Sequence, residues 1–151
     1  LQVCCAGNRN RETVMRRDSK DLEWKKAKAE VKERDGLRCR LIRVLSYKEM
    51  LVLKKNAGPL ITPLDPAHYI AVSENPNIMY MPENIVMLNR YSHTNLDNCR
   101  NPITGEPITK AEALKWWDRI LRGNKVQYNY LKENHILKEL EQTDGECQDG
   151  R

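Results

Sequence analysis

The chain has 151 residues, of which 40% are apolar and 31% charged, a size and balance for one domain that exclude a wholly disordered chain. With no Phe in the sequence, Leu, Ile, Val, Met and three Trp must fill the core. The net charge of +5 is uneven, because residues 8–43 hold thirteen Lys and Arg against seven Asp and Glu. Such a surplus suits a polyanionic partner, nucleic acid above all, and equally a well-solvated charged helix.

Five Cys occur, an odd number with no C-x-x-C pair. With no secretory apolar core and no stretch of about 18 apolar residues, the sequence reads as cytoplasmic, with reduced thiols and no membrane partner. A first residue of Leu reads as an incomplete amino-terminal end.

In chain order, residues 1–19 form a basic arm expected to be flexible. From Lys20 to Arg34, Trp24, Ala27 and Val31 recur at helical spacing, and Asp35-Gly36 ends the helix. RLIRVL, from Arg40, fits a strand, and YKEMLVLKK, from Tyr47, fits a short helix or a strand. Asn56 to Pro59 is a break. Leu60 to Val72 has β character, and Ser73 to Pro76 is a polar loop. NIVMLN opens a second strand at Asn84 and leads into a short helix, RYSHTNLDN. After the loop Asn101 to Pro107, Thr109 caps a helix with Glu112 as its capping-box partner, and Leu114, Trp117 and Leu121 share one face. Gly123 ends it, and a last helix is expected from Lys125 to Glu141. Residues 142–151 form an acidic tail, expected to be disordered.

The central order is therefore strand, loop, strand, helix, and it carries Asp65, His68, Asn84, His93 and Asp97. Asn84 and His93 are nine apart, and Asp97 follows His93 by one helical turn on the same face. A hairpin plus helix of this kind is suited to clamping one divalent cation beside a second histidine. Taken alone, His68 equally fits a packed core histidine, Asp65 an Asx-turn with Pro66, and Asp97 an exposed helix residue.

The stretch DPAHYI…ENIVMLNRYSH resembles the HNH (ββα-metal) nuclease motif, with His68 as first His, Asn84 as middle Asn and His93 as last His. The lead-in WKKAKAEVKERDGLRCR is similar to the family's helix and RDG-x-x-C entry. The D-x-x-H-Y form with trailing helices is most similar to phage NinG-type recombination nucleases. The resemblance spans residues 20 to 100. It implies an α+β fold, with a ββα core and flanking helices in a domain of residues 20–141. It implies a DNA endonuclease that hydrolyses phosphodiester bonds, located in the host cytoplasm if phage-encoded, and leaves oligomeric state open, a dimer included.

By the same resemblance His68 is the general base, a role suited to the side chain whose charge changes nearest neutrality. Asn84 ties the inter-strand loop and orients His68. His93 and Asp65 ligate one divalent ion, Mg²⁺ or Mn²⁺ with Ni²⁺ or Zn²⁺ as alternatives, and Asp97 is a third candidate ligand. Arg90, Arg16, Arg17, Lys25 and Lys26 are candidate phosphate contacts. The chain departs from the family at Ala67, where many members place an acid or His, so Asp65 on the same strand face is the candidate substitute. It departs again at a second zinc site: Cys39 is present, but its partner positions are Ile42, Asn89 and Ser92, so no structural zinc is expected. The Ala67 departure keeps an alternative open, a catalytically lapsed nucleic-acid-binding module. Trp116 and Trp117 are candidates for base stacking, with the core favoured for Trp117, Tyr128 and Tyr130.

Overall fold

The computed structural model describes residues 20–58 and 63–140; Arg16, Arg17 and the rest of the basic arm, like the acidic tail, lie outside them. The fold mixes helices with a two-stranded antiparallel sheet, compatible with the α+β expectation.

Helix α1 spans residues 20–35, built from Lys, Glu and Ala, which lose little side-chain freedom in a helix. Its apolar side, Trp24, Ala27 and Val31, packs on the sheet. Gly36 ends it at φ +70°, a left-handed conformation open to glycine at little cost. The strand expected at RLIRVL does not form. Arg40 N–H reaches the Met87 carbonyl, but bonds from Ile42 N to Cys39 O and from Val44 N to Leu41 O then curl the chain into a 3-10 turn at Ile42–Val44. YKEMLVLKK resolves as helix α2, Tyr47–Ala57, opened by a full capping box between Ser46 and Glu49.

Strands β1 (Leu64–His68) and β2 (Ile85–Asn89) pair with Asp65 opposite Leu88, Ala67 opposite Val86 and His68 opposite Ile85. An isolated hairpin is marginal in water, and here both faces are covered. Ile85 and Met87 meet α1, while Ala67, Val86 and Leu88 join the larger core. That explains why all five β2 residues are buried and why its sequence is an apolar run rather than an alternation. β1 is shorter than expected, because the Asn84 side chain takes the backbone N–H and C=O of Ile70 and turns the chain out of the strand. Asn84 itself ends a 3-10 turn, Pro82–Asn84, ahead of β2.

Helix α3 (Arg90–Asp97) follows β2 without a linker, its first turn capped by the Asn89 side chain. Helices α4 (Lys110–Arg122) and α5 (Lys125–Glu133) close the far side, with Trp117, Ile120, Leu121 and Leu131 in the core. Thr109 caps α4 as expected by accepting from Glu112 N–H. α5 stops at Glu133, short of 141, where His135 takes a left-handed φ of +57°. Trp117 is buried against Tyr69, whereas Tyr130, expected in the core, is exposed. Cys39 is a free buried thiol. No helix among the described residues is long and apolar enough to cross a membrane.

A buried polar knot locks α1 to the rest. The Asp35 carboxylate, fully buried, accepts from Arg34 at 2.7 and 2.9 Å, from Arg40 at 3.0 Å and from Met87 N–H at 3.0 Å. Arg40, also fully buried, reaches on to Gln127 Oε1 and the Ile120 carbonyl, tying α1 and β2 to α4 and α5. Burial works to raise the Asp35 carboxyl, and these donors outweigh it, holding it below the ordinary range.

A second, more exposed tie joins α2 to α4, where Arg119 grips Glu49 at 2.6 and 2.8 Å. The Arg119 bond, followed by the cap bonds at Ser46, lowers the Glu49 carboxyl from 4.5 to about 2. Because the folded value is the depressed one, the stabilisation is present above pH 4.5 and is lost as pH falls toward 2. Thermal melts of the wild type and Glu49→Gln should therefore differ at pH 6 and converge by about pH 2, the depressed value at which the tie is half titrated.

Candidate functional site

Five of the site residues expected from sequence gather where β1 and α3 meet. Asp65 lies on the strand face that also carries Ala67, and its carboxylate reaches α3: Oδ2 accepts from His93 Nδ1 at 3.3 Å. Arg90, in the first turn of α3, lies over the same carboxylate with Nε and Nη2 each 3.3 Å from an oxygen. At the other edge of the imidazole, Nε2 is 3.1 Å from Asp97 Oδ2. The i, i+4 spacing places Asp97 there, one turn along α3.

The two carboxylates thus take opposite nitrogens of one ring and do not face a common point. Among the described residues no group of three or more His, Cys, Asp and Glu is placed to hold one ion, so the expected Asp65, His93 and Asp97 ligand set is not assembled as a trio. The reason is the geometry of imidazole, whose nitrogens point apart. The donor chemistry still fits a cation with two protein ligands, a carboxylate and an imidazole beside each other, with water completing the shell.

Which edge suits an ion follows from the surroundings. The Asp65 edge is covered by Arg90. The Asp97 edge opens on a cleft of about 230 Å³ that His68, His93, Asp97, Ser73, Leu96 and Trp117 help to line. A carboxylate can only accept, so Nδ1–H donates to Asp65 and Nε2–H to Asp97; a cation on the cleft edge would take the place of the Nε2 proton, while Asp65 keeps the one on Nδ1. Both carboxylates, Asp97 foremost, raise His93 above the ordinary histidine value against the opposing effect of burial. Burial works to raise Asp65, and the bonds from Arg90 and His93 outweigh it and hold it low.

His68 ends β1 on the opposite face of the sheet and reaches the same cleft from the side of α1. Its Nε2 is 2.8 Å from the Met79 carbonyl. That oxygen has no proton to give, so Nε2 carries the hydrogen, and in the neutral ring Nδ1 keeps the lone pair. Asn84, fully buried, bonds Ile70 N at 2.7 Å, Ile70 O at 3.1 Å and Ile78 O at 3.4 Å. It thereby joins the end of β1 to the segment that presents Met79.

Ala67 is fully buried among core side chains and offers nothing to the cleft. Cys39, Asn89 and Ser92 meet in a buried hydrogen-bonded cluster: Cys39 Sγ accepts from Asn89 N and Nδ2, and Asn89 Nδ2 donates to Ser92 Oγ. Lys25 and Lys26 are exposed on adjacent flanks of α1, with acidic residues interleaved along the same helix. Trp116 lies half-buried under Arg119, away from the cleft lining. Two contributors escaped the sequence reading. Trp24 was legible only as the core face of α1, and Met79 acts through a backbone carbonyl that no side-chain pattern marks. No family model matches this chain, and no curated protein or solved structure matches it either.

Proposed function

We propose that the chain is a divalent-metal-dependent DNA endonuclease of the HNH type, hydrolysing phosphodiester bonds with His68 as general base. The observation that carries this reading is the convergence of His68, His93 and Asp97 on one cleft from a hairpin strand and the helix that follows it. The succession of two antiparallel strands and a helix supports the ββα assignment.

In this reading His68 Nδ1 takes the proton of the attacking water while the Met79 carbonyl holds Nε2–H. His93 Nε2 and Asp97 would hold the cation, with Asp65 orienting the His93 ring through Nδ1 rather than ligating. A divalent cation held there would supply positive charge to the phosphate and its leaving oxygen. Arg90, 65% exposed at its side chain, is free to swing from Asp65 toward a phosphate. Asn84 holds the loop that carries Met79, a positioning role without proton transfer.

Metal affinity separates the two edges of His93. In a Mn²⁺ titration without DNA, His93→Ala should abolish the site. Asp97→Asn should weaken binding more than Asp65→Asn, which keeps an acceptor for Nδ1–H, while Asp65→Ala should cost about 10–100-fold, as loss of a ring-orienting partner does. Asp65→Asn falling below Asp97→Asn would place the ion on the Asp65 edge. The fully buried Ala67, where a ligand is missing, favours a second reading, a binding module without catalysis. DNA mobility shift with no cutting under any divalent cation would establish that reading.

A further inference from the structure

Trp24 stands outside the hairpin and helix that carry the site, yet its indole stacks on the His68 imidazole, with ring centroids 5.6 Å apart and planes 16° from parallel. The indole is itself held in place. Lys28, one turn along α1, sets its Nζ 5.3 Å from the ring centroid, and Tyr80 packs beside it at 6.2 Å. Ala27 and Val31 anchor the same helix on Ile85 and Met87 of β2, and Ile85 is the direct cross-strand partner of His68.

An imidazole on two rotatable bonds is not fixed by one hydrogen bond. The Met79 carbonyl at 2.8 Å defines where Nε2 points but allows the ring to roll about that contact. A flat partner on one face removes the roll, because tilting the imidazole drives it into the indole. We infer that Trp24 is a positioning residue for His68, holding the ring in the plane that keeps Nε2–H on Met79 and Nδ1 as the proton-accepting nitrogen. This rests on the reading of His68 as general base. It extends the functional unit to α1, so the chemistry depends on a helix that contributes no reacting group.

The consequence is specific. Trp24 is placed to affect proton transfer rather than phosphate or metal contact, so its loss should act on kcat and leave KM alone. A misplaced general base costs on the order of tenfold to a hundredfold. Trp24→Ala should lower kcat for plasmid nicking by that factor with KM within about twofold, and Trp24→Phe, which restores a flat face, should recover most of it. Trp24→Leu keeps apolar bulk on α1 without a flat face and serves if the alanine variant does not fold.

A second arm needs neither DNA nor metal. ¹⁵N NMR of the neutral His68 ring should report one tautomer, protonated at Nε2, in the wild type and Trp24→Phe, and a mixture in Trp24→Leu. A wild type that never cuts DNA would remove the base assignment, while the tautomer measurement would still decide whether Trp24 positions the ring. The inference is overturned if Trp24→Leu keeps the single tautomer. It is overturned equally if kcat per folded molecule is unchanged, or if kcat and KM worsen together in Trp24→Phe and Trp24→Leu alike.

Discussion

His68→Ala is expected to reduce DNA cutting by about 10²–10⁴-fold, the usual worth of a positioned general base, while leaving DNA affinity and metal affinity near wild type. Among the described residues His68 bonds to the Met79 carbonyl and not to Asp65, Arg90, His93 or Asp97, so its loss should not disturb them. Removing the Met79 bond and the Trp24 stack costs stability of about 1 kcal/mol, a small effect beside the kinetic one. Single-turnover nicking under saturating protein, with a parallel gel shift and Mn²⁺ titration, separates these quantities. Cutting that persists at wild-type rate in His68→Ala would remove the base assignment. A parallel loss of metal binding would mean that the histidine acts as a ligand instead.

Asp35→Ala should be the most damaging single change to the fold. It leaves the Arg40 guanidinium, with 0% side-chain exposure, without its carboxylate, and it orphans the Met87 N–H on β2. Breaking one member of a buried charge network costs about 3–5 kcal/mol, because the remaining charge stays desolvated and unpaired. That is a large part of the stability of a domain this size. Asp35→Asn keeps one acceptor oxygen, enough for two of the four bonds, loses the charge and turns an NH2 toward the other two donors, so it should fall between wild type and Asp35→Ala. Urea denaturation measures both. A loss under about 1 kcal/mol for Asp35→Ala would show that the network is replaceable, as buried ion pairs sometimes are when the site repacks.

These two residues also mark what sequence does and does not disclose. Asn84 and His93 were legible because their spacing is fixed by a five-residue strand and a helix that starts where it ends, whereas His68 lies across the connection 69–84 and was read through that pair. Asp35 was legible only as the end of a helix. Beyond the neighbouring Arg34, its partners lie five and fifty-two residues away, and nothing local distinguishes a buried Asp from a solvated one before a Gly. The same limit applies to RLIRVL. Its β-branched residues read as a strand, but the outer edge of β2 is already bonded by side chains, Met87 N–H to Asp35 and Asn89 N–H to Cys39 Sγ, so Arg40 N–H joins that edge and the chain then curls into a local turn. Thr109 disclosed its helix start because capping is a matter of three residues. The division of Asp65 and Asp97 between the two nitrogens of His93 was beyond the sequence for a different reason. Both spacings permit ligation, and only the placement of Arg90 and the opening of the cleft separate them.

The central claim is that His68, His93 and Asp97 form a metal-dependent phosphodiesterase centre. Its most direct test is incubation of the purified chain with supercoiled plasmid in Mg²⁺ or Mn²⁺, with and without chelator. Conversion to nicked or linear product that requires the cation and stops when the chelator is added is the expected result. Plasmid left supercoiled under every divalent cation, or cut equally well in the chelator, would contradict it.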